Sequence, residues 1–93
     1  MSAVIEYLRS RREAHLAEFL EYLKIPCIST LNLRIQEGAE HLAALMERAG
    51  IDTRIMETGG HPAVYGEAKG PEGASALLVY GHYDVQPADI KEG

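Results

Sequence analysis

The 93-residue chain has one cysteine, Cys27, and no tryptophan. A single thiol cannot close an internal disulfide, so the chain is not a disulfide-stapled secreted scaffold. Long apolar runs are also lacking: none approaches the roughly 18 residues of a membrane span. The opening Met1-Ser2-Ala3-Val4-Ile5-Glu6 has neither the basic start nor the apolar centre of a secretory signal. Basic residues are few, 9 against 14 acidic, giving a net charge of −5. Such a balance argues against nonspecific nucleic-acid binding, which needs a basic face. These absences together predict a cytoplasmic protein with no membrane and no nucleic acid among its partners.

What is present is ordinary for a globular chain, 46% apolar and 25% charged residues. The length suits one small domain, which buries a smaller share of its surface than a larger one. Residues 3 to 24 carry Ile5, Leu8, Leu16, Phe19, Leu20 and Leu23 at helical spacing. Arg9, Arg11, Arg12, Glu13 and Glu18 occupy the other face, and Ser2 is placed to cap the start. Pro26 ends this helix, because a proline pushes the residue before it out of the α region. After a connector over 26 to 33, a second helix is expected from about 34 to 49, with Ile35, Ala39, Leu42, Leu45, Met46 and Ala49 on its apolar face. Gly50 would close it with a positive φ.

Three strands are then expected: Ile51 to Thr58, Ala63 to Ala68, and Ser75 to Tyr80. The last is an apolar run suited to burial on both faces of a sheet. Gly59-Gly60 and Gly70-Pro71-Glu72-Gly73 punctuate them. The fold class expected is α/β: two helices on a small mixed β-sheet.

Past the third strand the chain reads Gly81-His82-Tyr83-Asp84-Val85-Gln86-Pro87. Histidine ligates zinc through one neutral ring nitrogen, and its other nitrogen usually donates to a carboxylate. Residues i and i+2 of an extended segment point to one side, so His82 and Asp84 can enter one cleft together. The end of a central strand is where open α/β sheets tend to place ligands. Gly81 would let the backbone bend there, and Pro87 would stop the strand. By itself a His-x-Asp triplet also fits a chance pair in a surface turn.

The longer string Leu77-Leu78-Val79-Tyr80-Gly81-His82-Tyr83-Asp84-Val85-Gln86-Pro87 resembles the first metal-binding motif of the zinc metallopeptidases that include carnosinase, aminoacylase and succinyl-diaminopimelate desuccinylase. The Gly-His-x-Asp-Val-Gln-Pro form is most similar to the dipeptidase branch. Ile25-Pro26-Cys27-Ile28-Ser29, the helix end Ala49-Gly50 and His61-Pro62-Ala63-Val64-Tyr65-Gly66-Glu67 also resemble that family's N-terminal region. The resemblance implies a catalytic domain with two zinc ions and a smaller lid or dimerisation domain inserted later. It implies that His82 ligates one zinc and that Asp84 orients His82 and supports catalysis. Residues 1 to 93 are then expected to be the N-terminal segment of that catalytic domain, an incomplete part without the lid. The family's bridging aspartate, its Glu-Glu pair and its last histidine ligand would lie beyond Gly93. The substrate implied is a dipeptide or related N-acyl amino acid. A truncated domain would leave apolar surface uncovered, so association as a homo-oligomer is expected.

Other residues are weighed against this site. His15 and His41 read as solvated or half-buried helical histidines, and His61 as a turn residue that could approach a substrate. Cys27 has no Cys/His signature around it and reads as a small buried side chain. Glu37, Glu40 and Glu47 read as a solvated helix face, and Arg9, Arg11 and Arg12 as exposed helix charge. Tyr83 should point away from His82 and pack.

Two rivals stay open: a noncatalytic remnant acting through binding or assembly, and an unrelated small α/β domain with a chance motif. A catalytic zinc needs about three protein ligands, of which the motif offers one. The 93-residue chain alone is therefore expected to be inactive. A dipeptide-hydrolysis assay on the pure chain with and without zinc checks this, and zinc-dependent turnover would refute it.

Overall fold

The computed structural model describes residues 2–86. Pro87, expected to stop the third strand, lies outside the described residues. Three helices and a two-stranded antiparallel sheet make a small α/β mix.

The expected N-terminal helix forms as two pieces, α1 (Ser2–Ser10) and α2 (Arg12–Leu23). Ser2, expected as the cap, is the first residue of α1. The break falls at Arg11, with φ −108° and ψ 12°. Just before it, the Ser10 hydroxyl donates to the Tyr7 carbonyl at 2.7 Å. Such a back-bond competes with the helical ladder and bends it. The apolar stripe keeps its spacing but is not covered among the described residues; Phe19, for instance, is 57% exposed.

α2 ends at Leu23, ahead of Pro26. The connector then closes on itself. Ile28 and Leu33 exchange two backbone hydrogen bonds of 3.0 Å around a short 3₁₀ turn, Ser29–Leu31. Asn32 takes the left-handed conformation at φ 50°, which Asn tolerates better than most residues. α3 (Ile35–Arg48) follows as expected, and Gly50 closes it at φ +88°. The Gly50 N–H reaches the Glu47 carbonyl at 3.0 Å, and the Ile51 N–H reaches Met46 at 3.0 Å. This pair of bonds is the Schellman ending of a helix.

β1 (Asp52–Met56) and β2 (Ala63–Glu67) pair antiparallel, with Ile55 opposite Val64 and Arg54 opposite Tyr65. Thr53, Ile55, Val64 and Gly66 share the half-buried face, against which α3 packs. On the open face the Arg54 guanidinium stacks 5.6 Å from the Tyr65 ring centre. The buried centre is thin and consists of Cys27, Ile35, Ala39 and Ala43, with Gly38 beside them.

Two expectations need correction. The sheet is not mixed: the described residues contain two antiparallel strands and no third. Ser75 to Tyr80 is not a strand and is not buried; Leu77 is 89% and Tyr80 92% exposed. An apolar strand needs a hydrogen-bonded neighbour and cover on both faces. Among the described residues the run pairs with neither open edge, and one helix, α3, packs on the sheet. The architecture is thus one helix on a hairpin, with α1 and α2 alongside, rather than two helices on a sheet.

Gly38 marks the tightest approach in the core. A Cβ there would stand 2.5 Å from Cys27 Sγ and 2.9 Å from Cys27 Cβ. Gly38→Ala gains about 1 kcal/mol of helix propensity but meets an overpacking cost of about 1–3 kcal/mol. Because Cys27 is 0% exposed and has little room to yield, a net loss is expected in urea unfolding. Gly38→Ala with Cys27→Ala should cost less than the two single losses added.

Candidate functional site

The segment 81–86 is irregular, and its position comes from bonds to distant parts of the chain. The Tyr22 hydroxyl donates to the Tyr83 carbonyl. The Tyr83 hydroxyl donates to the Pro62 carbonyl at 2.6 Å. The Val85 N–H reaches the Cys27 carbonyl at 2.8 Å. The Ser29 hydroxyl donates to Asp84 Oδ2. These bonds tie the segment to α2, to the turn after α2 and to the loop before β2. Tyr83 packs as expected of it, lying close to Gly38.

His82 and Asp84 are brought together as their spacing suggests, with Nδ1 to Oδ1 at 2.8 Å. The His82 side chain is 78% exposed and that of Asp84 28%. The Ser29 hydroxyl and then His82 hold the Asp84 carboxyl below its ordinary range. At neutral pH it is therefore ionised and can only accept. The shared proton then sits on Nδ1, and in the neutral imidazole Nε2 carries the lone pair on the far side of the ring. A metal-ligating histidine needs that arrangement.

Ser29, His61, His82 and Asp84 border one cleft of about 600 Å³, walled by Ile35, Met46 and Val64. His61 Nε2 lies 3.3 Å from the Ser29 carbonyl. A carbonyl only accepts, so that nitrogen carries the proton. On its other side His82 borders a second cleft of about 450 Å³ that includes Arg11, His15, Glu18 and Arg48.

The remaining residues fit the plainer reading of each. Cys27 is buried, and burial first, then the Asp84 charge, push its thiol up, away from nucleophilic use. Tyr22 is pushed up to about 12 by burial, with Cys27, Tyr83 and Asp84 adding to it, so it remains a neutral donor. The His41 ring lies tilted beside Tyr22 at 5.6 Å and the His15 ring tilted beside Tyr7 at 6.3 Å between ring centres. Glu37 pairs with Arg34 at 3.6 Å, and Glu40 accepts from Gln36 at 3.1 Å.

Measured against a zinc site, the pair His82–Asp84 fits one ligand and its orienting carboxylate. Among the described residues no group of three or more His, Cys, Asp or Glu side chains is gathered to hold a metal ion. The roles of Ser29 and Tyr22 were not evident from sequence. Ser29 lies 55 positions from Asp84, and no periodicity links them. Comparison with protein-family models, curated proteins and solved structures finds no match for the chain.

The lowered Asp84 carboxyl makes docking of the segment pH-dependent. A depressed folded-state value means the contribution is present above the ordinary carboxylate range and is lost as pH falls through the lowered value. The Val85 amide reports the docking. Its hydrogen-exchange protection factor should hold at neutral pH and fall in acid. Asp84→Asn should lower the protection already at neutral pH.

Proposed function

We propose that this chain carries one corner of a zinc-peptidase site and forms the N-terminal part of a two-zinc metallopeptidase. The activity proposed is hydrolysis of dipeptides or related N-acyl amino acids. The observation that carries the reading is the 2.8 Å bond between His82 Nδ1 and Asp84 Oδ1, with Asp84 held in turn by Ser29. A surface turn would bring the two together as readily as a metal site. It would not call for a third residue that secures the carboxylate from elsewhere in the chain.

In this reading His82 presents Nε2 to a metal, and Asp84 keeps the proton on Nδ1. The chemistry such a metal supplies when bound is a water of lowered pKa and a polarised carbonyl. Asp84 also keeps the imidazole from turning and raises its basicity as a ligand. His61, with Nε2–H directed at Ser29, stands on the rim of the same cleft, where a peptide would lie. About two more protein ligands are needed for a catalytic zinc, and the described residues do not gather them.

A noncatalytic assembly module is the second reading. Its specific support is the bare apolar run Leu77, Leu78, Val79 and Tyr80, each more than four-fifths exposed. Homo-oligomer formation is common to both readings, so it does not separate them.

Zinc binding does. Calorimetry of the metal-free full-length protein, which in this reading supplies the remaining ligands, should show uptake that His82→Ala abolishes. Asp84→Asn should weaken uptake by about 10- to 100-fold, the usual effect of losing an orienting partner. No uptake by the unaltered full-length protein, or uptake indifferent to His82, removes the metal reading and leaves assembly.

A further inference from the structure

We propose that Ser29 is a positioning residue that sets the proton and the orientation of His82 through Asp84. The inference rests on the metal-ligand reading of His82 for its purpose, but its geometry is independent of any metal.

A carboxylate held only by a neighbouring histidine is free to turn about its side-chain bonds. Both partners then move together, and the imidazole has no fixed direction. Here the second oxygen is secured: Oδ2 accepts from Ser29 Oγ while Oδ1 takes His82 Nδ1. The anchor is itself fixed by the main chain. Ser29 opens the 3₁₀ turn closed by the two 3.0 Å bonds between Ile28 and Leu33. Two residues earlier the Cys27 carbonyl takes the Val85 N–H at 2.8 Å, so the chains on both sides of the contact run together. The Ser29 carbonyl also faces His61 Nε2 at 3.3 Å. One residue thereby touches both rims of the cleft, Asp84 through its side chain and His61 through its backbone. A hydroxyl can donate to the carboxylate without supplying charge, so Oδ1 stays a full acceptor and the proton stays on Nδ1.

A docking role alone would also place a hydrogen bond here, and the two roles differ in what they do to the imidazole. The test is imidazole ¹⁵N NMR of the metal-free protein, above the ordinary histidine pKa of about 6.5, with Val85 amide protection measured alongside. The unaltered protein should show His82 as the Nδ1–H tautomer. Ser29→Ala should release His82 towards the Nε2–H tautomer that free histidine prefers, and Ser29→Thr, which keeps the hydroxyl, should restore it. Tyr22→Phe is the control, because it loosens the segment at Tyr83 without touching Asp84. It should lower Val85 protection and leave the tautomer unchanged.

An unchanged tautomer in Ser29→Ala overturns the proposal. So does a tautomer change that Tyr22→Phe reproduces, since Ser29 would then only dock the segment. Zinc affinity should fall about tenfold in Ser29→Ala, the lower end of the effect of removing an outer partner. If the tautomer responds but the full-length protein takes up no zinc, Ser29 keeps its positioning role and the metallopeptidase reading fails.

Discussion

The Asp84 carboxylate, bonded through one oxygen to Ser29 and through the other to His82, is the contact on which the site depends. Without it the segment 81–86 has no regular structure to hold its side chains in place. Nothing in the local backbone favours one direction for an imidazole that is mostly exposed. The direction is imposed from a distance, by a hydroxyl on a closed turn and by backbone bonds at Tyr83 and Val85. Each bond alone is modest once exchange with water is counted. Together they order a short stretch whose conformational entropy opposes them.

The polar tethers matter more because the apolar core is slight. Cys27, Ile35, Ala39 and Ala43 are its buried members, small side chains apart from Ile35. Gly38 lets the turn that carries Cys27 sit directly on α3, and that same turn delivers Ser29 to Asp84. Packing and chemistry thus share one junction. A change in volume at Gly38 or Cys27 would be felt at His82 through three residues of connector. Elsewhere, among the described residues, large apolar side chains stay exposed along α1 and α2 and over Leu77 to Tyr80.

Much of this was legible in the sequence, and the parts that were not share a cause. Helical spacing located α3, and a glycine after its last apolar residue located its end. Strand-forming residues and the flanking glycines located both hairpin strands. The His-x-Asp spacing suggested a pair on one side of an extended segment, and the two side chains are bonded there. Local pattern failed where the outcome depended on partners far along the chain. The apolar run Ser75 to Tyr80 has the composition of a buried strand, yet burial requires a neighbour and a cover, and composition supplies neither. The stripe on α1 and α2 has the right period but stays largely exposed among the described residues. The break at Arg11, next to a serine that bonds back to the Tyr7 carbonyl, is hidden by a helical pattern. Ser29 looked like one more connector residue because its partner lies near the other end of the chain.

The most direct test of the site follows all four histidines during a zinc titration by imidazole ¹⁵N NMR. His82 should respond first and at Nε2, with Nδ1 keeping its proton, while His15, His41 and His61 stay near their starting shifts. A response shared evenly among the four, or one at His82 Nδ1, would contradict the assignment of His82 and Asp84 as a metal ligand and its orienting carboxylate.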